Sequence, residues 1–154
     1  MTNDEISRMV KLYHGTLYRL AFSYTHRTAE AEDICQEAFI KLCSFKGTFP
    51  SDSACKAWLI RVTINLSKNL IRSFAFSRTD ELPESIPCNT PEKQELLDIV
   101  MTLPPKYRAV IYLYYYEDYS VKEIAAIMHS TVSAITTRLS RARDKLKDAL
   151  LEEE

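Results

Sequence analysis

Glycine is nearly absent from this chain: two residues, Gly15 and Gly47, among 154. Phosphate-cradling loops and turn-dense all-β folds need backbone conformations that glycine alone adopts cheaply, so the shortage argues against both. The length suits one ordinary domain or two small helical ones, and is too short for a barrel or a doubly wound sheet. Long apolar runs are missing too. None approaches the roughly 18 residues that cross a bilayer, and the opening Met1-Thr-Asn-Asp-Glu5 is acidic where a signal peptide is basic and then apolar. A cytoplasmic protein without membrane insertion is expected. Cysteine pairing signals are absent as well: Cys35, Cys43, Cys55 and Cys88 include no Cys-x-x-Cys, and His14, His26 and His129 lie far apart. In a reducing compartment such cysteines read as small buried hydrophobes or idle thiols, and neither a metal site nor a cofactor is expected.

What the chain does have is charge sorted by position. The net charge is −1, yet residues 38–79 carry seven bases (Lys41, Lys46, Lys56, Arg61, Lys68, Arg72, Arg78) against the single acid Asp52. Residues 80–107 turn acidic, with six acids and two bases, and Thr136–Lys147 then holds five bases against Asp144. Two separated basic stretches can grip a polyanion at two places. A solvated helix face is the ordinary alternative for either one.

Apolar spacing is helical almost throughout. The ambiguous run Val110-Ile-Tyr-Leu-Tyr-Tyr-Tyr116 follows Leu103-Pro-Pro105, and proline suits a first helical turn, so the run is read as a buried helix. Pro83, Pro87 and Pro91 stand among Ser, Thr, Asn and acids, a composition that buries little and reads as a linker. The expected fold is all-α: a helical module at 1–72, a flexible linker at 73–92, and a second helical module at 93–154.

In the second module Ser120-Val-Lys-Glu123 has the form of a capping box. It opens a helix with Val121, Ile124, Ala125, Ile127 and Met128 inward, which ends near His129 because Ser130-Thr131 offers a fresh N-cap. The next helix repeats Val132, Ile135, Leu139, Ala142, Leu146 and Ala149/Leu150 at threes and fours and turns Thr136, Thr137, Ser140 and Arg141 outward. Two short helices joined by a tight turn, the second small-polar and basic outside, fit a major groove.

In the first module, Ala54–Arg72 spells a helix on which Arg61, Asn65, Lys68, Asn69 and Arg72 share about 100° of arc, with Leu59, Val62, Leu66 and Leu70 expected on the inward side. Asparagine is a poor helix-interior residue, so two on one stripe point to hydrogen bonding. Amides can read unpaired base edges, and the loop Lys46–Ala54 offers a partly aromatic wall for an extruded base. Upstream, Glu30, Asp33 and Glu37 form an acidic row above inward Ile34, Ala38 and Leu42. That row admits a metal-dependent helical hydrolase as one reading and a contact for a basic partner helix as another; it lacks the histidine or second carboxylate helix that two-metal chemistry uses.

Taken together, these segments resemble an extracytoplasmic-function sigma factor, the smallest class of bacterial RNA polymerase specificity subunit. Ala29-Glu-Ala-Glu-Asp-Ile-Cys-Gln-Glu-Ala-Phe-Ile-Lys-Leu42 is similar to that family's core-binding helix, and Ala57–Arg72 to its promoter-melting helix. Leu103–Glu117, Ser120–Ala125 and Arg138–Leu146 resemble its C-terminal module. The likeness implies that Asp33, Ile34, Gln36, Glu37, Phe39 and Ile40 bind core polymerase. It implies that Lys46, Phe49, Trp58, Arg61, Asn65, Lys68, Asn69 and Arg72 bind the minus-10 element as single strand. Lys122, Thr131, Ser133, Thr136, Thr137, Arg138, Ser140, Arg141 and Arg143 would then face minus-35 duplex. An anti-sigma partner is also implied, and no catalytic residue. Thr136, Ser133-Ala134, Ser130 and the Cys55-Lys-Ala-Trp58 approach depart from the usual family residues, which bears on the promoter sequence rather than on the class. The competing function is a stand-alone helix-turn-helix regulator, which leaves the acidic row without a task.

Overall fold

A computed structural model describes residues 1–73 and 98–152, and the chain divides into two compact units, Met1–Pro83 and Glu84–Glu154. The expected linker, from residue 74 on, lies outside the described residues. All regular elements among the described residues are helical.

The first unit packs α1 (Asn3–Thr25), α2 (Thr28–Cys43) and α3 (Asp52–Arg72) against one another. Helix α1 opens with a reciprocal cap: the Glu5 N–H donates to Thr2 Oγ1 at 3.2 Å and the Thr2 N–H to Glu5 Oε2 at 2.9 Å, satisfying two end donors. It stops at His26, left-handed at φ 57°. The core comprises Met9, Leu17, Leu20 and Phe22 of α1, Ile34, Ala38 and Leu42 of α2, and Leu59, Ile60 and Ile64 of α3. Fully burying one such large side chain contributes about 1.5–3 kcal/mol. Arg8 of α1 grips Asp52 in the first turn of α3 with its two terminal guanidinium nitrogens, at 2.5 and 3.1 Å.

The inward face of α3 differs from the leucine stripe expected. Leu59 is buried, but Val62, Leu66 and Leu70 are half-buried, and the buried stripe is Cys55, Leu59, Ile60, Thr63, Ile64 and Ser67. Two hydroxyls therefore enter the core. They do so because each donates to a carbonyl four residues back on its own helix, Thr63 to Leu59 at 2.8 Å and Ser67 to Thr63 at 2.7 Å, so neither hydroxyl is buried with its donor unsatisfied.

In the second unit α4 (Pro105–Ile111) starts with proline in its first turn and runs into a π-helical turn at Tyr112–Tyr116. The tyrosine run is helical, as expected, but wound one residue wider: the Glu117 N–H reaches the Tyr112 carbonyl, five back, at 3.2 Å. Helix α5 (Val121–Ile127) carries the Ser120/Glu123 capping box in full. After Met128 comes a Schellman ending: the Ser130 N–H donates to the Ala125 carbonyl at 2.8 Å and the His129 N–H to Ala126 at 3.4 Å, with His129 left-handed at φ 50° where glycine is usual. Thr131 Oγ1 then caps α6 (Val132–Glu152), accepting from the Ala134 N–H at 3.0 Å. Ile135, Leu139 and Ala142 enter the core with Ile124, Ile127, Val110, Ile111 and Leu113, whereas Val132, expected inward, is 50% exposed at the first position of α6. Leu146 is half-buried, and the side chains of Ala149 and Leu150 lie outside the description.

Candidate nucleic-acid interface

In the first unit the loop between α2 and α3 folds back on the start of α3. Gly47, at φ 138°, supplies a turn that an L side chain adopts only with strain. Phe45 and Phe49, on either side, stack at 4.5 Å and 13°, and both rings lean on Trp58 at 5.2 and 5.8 Å. Ser51 caps α3 through the Ala54 N–H at 3.1 Å. All three rings are half-buried, so their remaining edges face solvent.

Along α3 the spacing Trp58, Asn65, Asn69, Arg72 returns to nearly the same azimuth, a track about 21 Å long of aromatic, amide, amide and cation. Asn65, Asn69, Arg72 and Lys46 are exposed, while Arg61 and Lys68 are half-buried beside the track. Phe45 belongs to this aromatic surface yet was not among the expected site residues; its spacing of four from Phe49 across Gly47 was the available signal.

On α2, Asp33, Gln36, Glu37 and Ile40 lie exposed on one side of the helix, and Ile40, 63% exposed, follows about one turn beyond Glu37. Ile34 and Phe39, expected beside them, are in the core at 5% and 8% exposure because they occupy the opposite helical phase, so they can hold the surface but not form it. Glu30 is half-buried, with Arg27 at 3.9 Å. Among the described residues no group of three or more His, Cys, Asp or Glu is arranged to hold a metal ion. Burial pushes the Cys35 thiol up to about 12, with Glu32 adding to the shift, so that thiol is unreactive in the folded unit.

In the second unit Ser133, Thr136, Thr137, Ser140 and Arg141 are exposed along α6, Arg138 is half-buried and Lys122 is exposed on α5. Thr131 spends its acceptor on the helix cap and keeps its O–H to donate. Arg143 departs from the expected groove-facing set. Its Nε donates to the Tyr115 hydroxyl at 2.7 Å, and the guanidinium lies 5.4 Å over the Tyr114 ring and 5.7 Å over Tyr115. The Tyr115 hydrogen bond raises the Arg143 pKa above its ordinary value. Sequence spacing put Arg143 on the right side of the helix; the π turn brings the tyrosines to it.

The family model described as Sigma-70 region 2 matches residues 9–75, and that of Sigma-70, region 4 matches 93–146. The ECF RNA polymerase sigma factor SigM of Bacillus subtilis (strain 168) is 32% identical over 157 residues, covering 96% of this chain and 94% of that protein. The chain belongs to the ECF RNA polymerase sigma factors. SigW of the same organism is 28% identical to this sigma factor, covering 96% of it and 89% of SigW. The solved sigma factor RpoE in complex with the anti-sigma factor NepR from Bartonella quintana has the same fold at a TM-score of 0.71, 23% identity and coverage of 97% and 99%. The region 2 match spans α1 to α3 of the sigma factor, and the region 4 match contains α4, α5 and most of α6. No helix among its described residues is long and apolar enough to cross a membrane.

Proposed function

We propose that this sigma factor divides promoter recognition between its two units. The first binds core polymerase through the exposed Asp33, Gln36, Glu37 and Ile40 of α2, with Ile34 and Phe39 supporting them from below. Along α3 it reads the opened minus-10 strand: Lys46, Arg61, Lys68 and Arg72 hold phosphates, Asn65 and Asn69 meet base edges, and Phe45, Phe49 and Trp58 offer a stacking surface. The second places α6 in the minus-35 major groove, with Ser133, Thr136, Thr137, Ser140 and Arg141 nearest the bases and Lys122, Thr131 and Arg138 on the backbone. Arg143 is a positioning residue that fixes α6 to the π turn. The factor performs no phosphoryl transfer itself and works in the cytoplasm, where polymerase is. Since RpoE is solved with NepR, an anti-sigma partner is proposed here too.

The observation that carries this reading is the Trp58–Asn65–Asn69–Arg72 track beginning at the aromatic stack. The test uses holoenzyme reconstituted with the full chain and a promoter it transcribes. Asn65→Ala and Asn69→Ala should reduce permanganate-reactive opening far more than they reduce polymerase binding. A mismatched bubble should restore some opening, because it removes an unpairing cost of a few kcal/mol, without restoring base preference. Wild-type melting and base discrimination in both variants would leave the stripe a solvated helix face.

A further inference from the structure

Val132 is 50% exposed at the first position of α6, between the exposed Thr131 and Ser133. A helical side chain leans toward the N-terminus of its helix, so at this position it leans past the helix end, with no preceding turn of α6 beneath it. Four residues on, one turn along the same face, Thr136 is exposed as well. Both side chains are β-branched and stiff at χ1, so the methyl groups they carry are held in few orientations.

What the start of α6 lacks is as informative. From Ser130 to Thr137 there is no Arg, Lys, Asn, Gln, Asp or Glu. Bidentate reading of guanine uses Arg or Lys, that of adenine uses Asn or Gln, and the cytosine amine is read by a carboxylate. None of these is present at the end of a recognition helix that contacts base edges. Hydroxyls bond to several base edges and discriminate little between them. The group that an apolar side chain can single out in a major groove is the C5-methyl of thymine, because joining two methyl surfaces removes both from water and cytosine has only hydrogen at that carbon.

We propose that Val132 and Thr136 read thymine methyl groups in the minus-35 duplex, which makes Val132 a specificity-determining residue of this sigma factor. The inference rests on the placement of α6 in the minus-35 major groove. Four residues of helix advance about 6 Å, and successive base pairs advance about 3.4 Å. The two thymines therefore lie within about two base-pair steps of each other, on the same strand or on opposite ones.

The test uses holoenzyme reconstituted with the full chain and a promoter it transcribes, with deoxyuridine replacing each minus-35 thymine in turn. Uracil keeps the base pair and the O4 acceptor and loses only the methyl. At the thymine facing Val132 the exchange should weaken binding about fourfold, the equivalent of taking one methyl group out of an apolar contact. Val132→Ala should weaken binding to the thymine promoter by a similar factor and make that position indifferent to the exchange. Thr136→Ser, which keeps the hydroxyl and deletes the methyl, should do the same at the second thymine. In the Val132 position 5-methylcytosine should bind better than cytosine, since it returns the methyl without the O4 of thymine. Deoxyuridine that binds as well as thymine at every position overturns the proposal, and a preference for A·T pairs that survives loss of all the methyls assigns the element to DNA shape instead. An exchange that costs the same in both variants as in the wild type, with circular dichroism unchanged, also overturns it, because the methyl is then met by another group. Failure of the underlying assignment is seen separately: a wild-type holoenzyme indifferent to scrambling of the minus-35 element takes α6 out of the groove altogether.

Discussion

Replacing Arg143 by methionine separates a DNA contact from a structural clamp. Methionine keeps an unbranched apolar stem against the tyrosines and removes the charge and its donors. What is lost is the 2.7 Å hydrogen bond to Tyr115 and the approach to the Tyr114 and Tyr115 rings at 5.4 and 5.7 Å. Cation–π attraction at an exposed site contributes about 0.5–1 kcal/mol. The hydrogen bond joins two exposed groups, so its share is discounted to at most about 1 kcal/mol, as for a surface ion pair. A total loss of about 1 kcal/mol in a unit of this size lowers Tm by about 4–8 °C. Thermal unfolding followed by circular dichroism reports this, and Trp58, the single tryptophan and part of the first unit, gives an internal control: its emission transition should not move. The slope of log affinity for duplex DNA against log salt should stay at its wild-type value. Tyr115→Phe, which removes only the hydrogen bond, should produce about half the shift. A variant that melts like the wild type while its salt slope falls by about 0.9, one phosphate's worth, would refute the clamp and return Arg143 to the DNA face.

Two further perturbations address the first unit. Charge reversal at Asp33 and Glu37 together should weaken binding to core polymerase by about 2 kcal/mol if the carboxylates are desolvated in the complex, with circular dichroism unchanged; wild-type affinity in a folded variant would remove α2 from the contact. Arg8 holds the Asp52 carboxyl below its ordinary range, chiefly through their hydrogen bonds. The folded value lies below the unfolded one of about 3.9, so the pair's contribution is present above that pH and lost as pH falls through the depressed value. Asp52→Asn should therefore reduce the stability of the first unit at neutral pH and converge with the wild type in acid, read by Trp58 emission, and a constant difference between the two curves from neutral to acid would contradict the pairing.

Much of the fold was legible where one residue type answers one backbone need. Ser120 with Glu123, Thr131, and Pro105 marked helix starts because caps and first-turn prolines act locally. The ending of α5 near His129 was legible from the following cap at Ser130-Thr131, although His129 itself takes the left-handed position that glycine usually signals. The core face of α3 was misassigned because polarity argues for exposure, and only the helix's own carbonyls, at the right rotamers, make Thr63 and Ser67 acceptable inside. At the site, the stripe on α3 could be read from helical phase alone. The pairing of Phe45 with Phe49 depended on how a loop folds, and the direction of Arg143 depended on which rings another helix brought near. Charge is written in sequence; what a long cationic side chain lies against is settled by packing.

The π turn makes chain length, more than side-chain identity, the fixed quantity in the tyrosine run. Tyr114, Tyr115 and Tyr116 are chemically the same, and what decides that Tyr115 meets Arg143 while Tyr116 stacks on Tyr112 is the one-residue-wider winding between Tyr112 and Glu117. A ring swapped for another ring leaves that geometry in place. Removing one residue while the wide winding persists would rotate every later tyrosine by about 100°, carrying the partner of Arg143 away. This short stretch thus tolerates spelling changes and not a change in count.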